Sequence, residues 1–107
     1  MAPVQELAAQ ILVLPGVAQA TSRFGSRDRA AGSVLGKEFA HLHADDLLDL
    51  KLPRRIQASL RGDPRAHFRK SASAWLELEF HTSEDVRHLM ALVREAWASA
   101  RAEKNAA

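Results

Sequence analysis

Two histidines two residues apart, His41 and His43, are followed closely by Asp45, Asp46 and Asp49, so the segment from Gly36 to Arg55 concentrates the polar chemistry of this chain. In an extended segment that spacing puts both imidazoles on one face. His-x-His supplies two ligands of a metal site, and His67 or Asp49 could add a third. Zinc requires three or four such groups to converge. Two ligands fix too little, so no resident metal or cofactor is expected and hydrogen-bonded groove histidines are the plainer reading. A histidine beside a carboxylate also suits general acid–base chemistry. Acids between two strands are, equally, ordinary turn formers.

Pro53-Arg54-Arg55 opens a helix with two cations at its positive end, which the helix dipole disfavours. Arg54 therefore either clamps Asp49 or Glu38, or binds an anion together with the helix N–H groups. There is no Gly-x-Ser-x-Gly elbow and no phosphate-cradling glycine loop, and the chain holds no cysteine. Serine or thiolate nucleophiles, disulfides and nucleotide hydrolysis therefore have no support.

The elements that must position these groups follow from periodicity. Val4, Leu7, Ala8, Ile11 and Leu12 predict a helix over 4–13, stopped by Pro15-Gly16. Val17–Phe24 reads as a strand, residues 27–32 as a turn or irregular strand start, and Ser33–Leu35 as a strand. In Lys37–His43 a period of two groups Lys37, Phe39, His41 and His43 on one face, against Glu38, Ala40 and Leu42. Leu47–Leu52 pairs with it as an antiparallel hairpin, with Leu48, Leu50 and Leu52 on a shared face. Pro53 then sits in the first turn of a short helix, with Ile56 and Leu60 as its stripe, ended by Gly62-Asp63-Pro64. His67–Lys70 reads as a loop or a short edge strand. Trp75–Phe80 alternates, Leu76, Leu78 and Phe80 inward and Glu77 and Glu79 toward solvent.

Thr82-Ser83-Glu84-Asp85 starts a long helix, and Val86, Leu89, Met90, Val93, Ala96, Trp97 and Ala100 form its apolar stripe. Residues from Arg101 onward are expected to fray, and His81 and His88 to be solvated. Trp75 and Trp97 are expected to cover the core or sheet. This order predicts an α+β fold: an antiparallel sheet covered by an N-terminal helix, a short middle helix and a long C-terminal helix. One domain is expected over 1–107, with its core at about residues 4–100.

At 107 residues and net charge +2 the composition is that of an ordinary globular chain. Residues 20–70 hold eleven Lys/Arg against six Asp/Glu, the remainder four against seven, so the middle is basic. The N-terminal residues lack the basic region and cleavage site of a signal peptide, and Ile11–Leu14 is too short an apolar run to cross a bilayer. A cytoplasmic protein with no membrane partner is expected.

Leu14-Pro15-Gly16-Val17, Gly36-Lys37-Glu38-Phe39-Ala40-His41-Leu42-His43 and Asp49-Leu50-Lys51-Leu52-Pro53-Arg54-Arg55 resemble the bacterial luciferase-domain family. Ala66-His67, Ser73-Ala74-Trp75 and Ser83-Glu84-Asp85-Val86 continue the likeness, over about residues 12–100. More distantly the plan is similar to MmcQ/YjbR-like proteins, which implies a compact α+β fold with an antiparallel sheet and a suggested role in DNA binding. The family pattern commonly has a more histidine-rich segment and an Asp-Ser-Gly-Trp-like entry to the last strand. Here only His67 and Trp75 of that region carry over. The family's name is no evidence of light emission.

Three functions compete. The first is a small non-catalytic binding or interaction module whose groove is lined by His41, His43, Asp49, Arg54 and His67, for an unidentified ligand or protein partner. The second is nucleic-acid binding through Arg23, Arg27, Arg29, Arg54, Arg61, Arg65, Arg69 and Lys70, with affinity that falls steeply with salt. The third is a metal-assisted enzyme on the His-x-His strand. No catalytic residue is assigned, and either a monomer or a homodimer fits.

Overall fold

A computed structural model of the chain describes residues 2–20, 30–34, 37–69 and 73–106. The expectations for residues 21–29, for Leu35 and Gly36 and for Lys70 lie outside the described residues.

Pro3–Leu12 forms the first helix, α1. Pro3 suits a helix start because its missing N–H would have no helical partner there, and Gln5 Oε1 accepts the Ala2 N–H at 3.1 Å. Gly16, at φ 77°, makes the turn that follows. Strands β1 (Val17–Ala20), β2 (Ala30–Val34), β3 (Lys37–Ala44) and β4 (Leu47–Lys51) come next. A short helix α2 (Arg54–Ser59), a two-residue strand β5 (Ala66–His67), strand β6 (Trp75–Glu79) and the long helix α3 (Ser83–Ala106) complete the order. The sheet runs β1-β2-β3-β4-β6-β5, each neighbouring pair antiparallel. This is the predicted α+β architecture. Among the described residues no helix is long and apolar enough to cross a membrane.

Alternation explains which face is covered. Leu48 and Leu50 of β4 and Leu76 and Leu78 of β6 are fully buried, together with Leu52 and Phe80 just beyond the strand ends. Against them pack Leu7 and Ile11 of α1 and Val86, Leu89, Met90, Val93, Ala96 and Ala100 of α3. Burying each large aliphatic side chain is worth roughly 1.5–3 kcal/mol before ordering entropy is subtracted. Trp97, half-buried on the same cluster, donates from Nε1 to the Pro15 carbonyl at 2.9 Å. Ser83 Oγ donates to Glu6 Oε2 at 2.9 Å and links the two helices at the other end of α1.

Three local expectations are corrected. The strict period of two in β3 fails, because the strand carries two bulges. Gly32 faces Ala40 and Ser33 faces Glu38, which leaves Phe39 as an extra residue. Leu42 faces Leu48 and Ala44 faces Leu47, which leaves His43 as a second. Phe39 is thereby fully buried in the core instead of sharing a polar face with the histidines, and Glu38 reaches His41. Pro53 precedes α2 as its cap residue, its carbonyl accepting the N–H groups of Ile56 and Gln57. Finally, α3 continues to Ala106, where Ala, Arg, Glu and Lys are all strong helix formers.

Candidate binding site on the polar face of the sheet

Registered neighbours in adjacent strands project to the same side of a sheet. His41 pairs with Asp49, Asp49 with Glu77, and Glu77 with His67. These four residues therefore form one row across β3, β4, β6 and β5, on the face opposite the leucines. His43 joins the row through its bulge, which re-aims the side chain. Its Nε2 meets Asp49 Oδ2 in a short hydrogen bond. Arg69 Nη2 donates to the same oxygen at 2.5 Å. Asp49 is only 3 % exposed, and its other oxygen, Oδ1, is buried without a hydrogen-bond partner among the described residues. Glu77 is half-buried beside it. His41 is also 3 % exposed; its Nε2 lies 3.0 Å from Glu38 Oε2, and its ring meets that of Trp75 edge-on at 4.6 Å.

Trp75 connects this row to a groove. The groove has a volume of about 270 Å³ and lies between α2 and the approach to β6, lined by Arg54, Gln57, Arg61, Phe68, Arg69 and Trp75, with Ala58 and Ser73. Its walls are stitched together through the backbone. Gln57 Nε2 donates to the carbonyls of Leu52 (3.0 Å) and Ser73 (2.9 Å), and the Leu52 N–H donates to the Ala74 carbonyl at 2.8 Å. The Arg61 guanidinium lies 4.4 Å over the centre of the Phe68 ring, a cation–π contact.

The structure brings His41, His43 and Asp49 together. Arg54 is exposed on the groove wall, and the guanidinium on Asp49 belongs to Arg69 instead. His67 stands at the sheet edge, 2.9 Å from Glu79 Oε1, while His81 holds the other Glu79 oxygen at 2.6 Å. The His81 hydrogen bond, followed by that of His67, lowers the Glu79 carboxyl below its usual range, and Glu79 in turn raises His81. His81 and His88 are both exposed but paired, His88 with Asp63 at 2.8 Å.

Two members of the site were not singled out from sequence. Alternation with Leu76 and Leu78 directs Glu77 away from the core, and the same alternation places it on the face of any polar partner in β4. Arg69 counted only as one of many basic residues. Its role depends on a contact twenty residues away in sequence.

The sequence pattern that defines the luciferase domain matches residues 36–96, from the start of β3 to well inside α3, and so includes the whole polar row. This chain belongs to the luciferase-domain family. Neither a curated protein nor a solved structure matches it.

Proposed function

We propose that this luciferase-like domain is a non-catalytic binding module that takes a small anionic ligand with a planar apolar part. The observation that carries this reading is the groove lining: three guanidiniums and two aromatic rings, with no carboxylate among the lining residues. Guanidinium forks match carboxylate and phosphate oxygens, and aromatic faces accept a flat ring. Asp49 sits behind Arg69 and fixes its orientation, so that cation is pre-organised and less ordering entropy is lost on binding.

Among the basic residues of the nucleic-acid reading, Arg65 is held by Asp85 and Arg69 by Asp49. Arg23, Arg27, Arg29 and Lys70 lie outside the described residues. Arg54, Arg61 and Arg69 line one groove of about 270 Å³, a size that suits a small anion.

The test is fluorescence titration of a Trp97→Phe protein, in which Trp75 is the sole indole, with phenyl phosphate, benzoate and inorganic phosphate. Saturable quenching by an aryl anion, weakened at least about tenfold in Arg54→Ala or Arg61→Ala, is expected. No saturable response to any of the three would overturn the reading. Retention of DNA on a filter at low salt, without an aryl-anion response, would transfer the groove to nucleic acid.

A further inference from the structure

We propose that His43, Asp49 and Glu77 form a binding site for a divalent metal ion of the zinc type. One ligand atom from each residue lies within 4.8 Å of the other two. Around a tetrahedral zinc with bonds of about 2.0–2.1 Å, ligand atoms stand about 3.3 Å apart. Closing that difference requires the ligand atoms to draw together by about 1.5 Å at most.

Three separate features of the fold converge on this point. The bulge at His43 turns its ring toward Asp49. The β4–β6 register sets Asp49 directly opposite Glu77, and two carboxylates so placed repel each other. Asp49 Oδ1 is the independent observation that points to a ligand. It is a buried carboxylate oxygen with no partner among the described residues, whereas Oδ2 already accepts from both His43 and Arg69. Burying such an acceptor without a partner is unfavourable, and a bound cation would relieve it. A cation would occupy Oδ1 while Arg69 stays on Oδ2, and two carboxylates with one neutral imidazole would balance its charge. One nitrogen and two oxygens suit zinc and its neighbours better than calcium or magnesium, which favour oxygen alone. Three protein ligands would leave a coordination position open.

The experiment uses the full chain, stripped with chelator, and adds the metal alone, so it is independent of any groove ligand. Calorimetric titration with zinc chloride and the visible absorption of a cobalt(II) complex are the readouts, alongside the melting temperature with and without zinc. One equivalent bound is expected, with a cobalt spectrum typical of low coordination number and a zinc-dependent rise in melting temperature. His43→Gln and Glu77→Gln, both at half-buried positions that leave the core untouched, should each weaken binding at least about tenfold. A double His81→Gln/His88→Gln variant, which removes two exposed histidines outside the polar row, should leave it unchanged. Absence of zinc uptake, or uptake that survives both His43→Gln and Glu77→Gln, or uptake abolished by the double variant, would overturn the assignment.

Discussion

Asp85 offers a sharp test of how this fold is held together. It is the third residue of α3, and its Oδ2 accepts the N–H groups of His81 (2.8 Å) and Thr82 (3.3 Å). Its Oδ1 accepts Arg65 Nε at 2.7 Å, and its own N–H donates to Thr82 Oγ1 at 3.0 Å. This is a reciprocal cap with an added guanidinium, tying the β5 entry to the start of the longest helix. The His81 N–H, then the Arg65 side chain, lower the Asp85 carboxyl from 3.8 to about 2. At 1.36 kcal/mol per unit that gap is worth about 2 kcal/mol at most, and contact with solvent reduces it to about 1–2. Because the folded-state value is the lower one, the contribution is fully present above 3.8 and is lost as pH falls through about 2. Asp85→Asn should therefore be less stable than the parent by about 1–2 kcal/mol at neutral pH in urea denaturation. The difference should shrink through the acid range and vanish only below about pH 2. Asp85→Ala should lose about a further 1 kcal/mol as the acceptor for the His81 and Thr82 N–H groups goes, while Thr82 still caps the residue 85 N–H. A parent–Asn difference that is absent at neutral pH, or that persists unchanged into strong acid, would refute the reasoning.

Other outcomes follow from particular contacts. Arg69→Ala removes the guanidinium from buried Asp49 and should cost about 1–3 kcal/mol in urea denaturation, with Asp49→Asn relieving part of the loss in the double variant. Leu78→Ala, at a fully buried centre of β6, should cost about 2–5 kcal/mol by the same measurement. Glu79→Gln should return the raised His81 titration toward its ordinary value, followed by NMR of the imidazole protons. With Glu79 present, the stabilisation linked to His81 is complete below 6.5 and is lost as pH rises through the raised value. Trp97→Phe should lose the bond to the Pro15 carbonyl, about 0.5–1.5 kcal/mol, measured as a fall in the urea midpoint.

The helices and the central strands were legible because their signals are local. The stripe from Val86 to Ala100, the alternation of Leu76, Leu78 and Phe80, and the turn between β3 and β4 each sit within one short window. The bulges were not legible. Neither Phe39 nor His43 is a glycine or another residue that marks a bulge, and each is defined only by the strand opposite it. The site divides the same way. The histidines and Asp49 stood out by type and spacing, whereas the nearness of Glu77 and Arg69 depends on register between segments distant in sequence. Arg54 stands out by its unfavourable place at a helix start, and the structure puts it on the groove wall, while Arg69 holds the carboxylate.

The two bulges in β3 also determine where this strand can change length. Losing Leu42 would turn over every side chain on one side of the break and carry the polar row toward the helices. Losing Phe39 would instead leave Glu38 and Ala40 consecutive against Ser33 and Gly32, which are already consecutive. Losing His43 would likewise bring Leu42 and Ala44 into plain pairing with Leu48 and Leu47. One-residue deletions at these two points remove a side chain but leave the rest of the ladder in phase. Length variation in this segment should therefore collect at positions 39 and 43, and at 43 it would delete an imidazole without disturbing the register that brings Asp49 and Glu77 together.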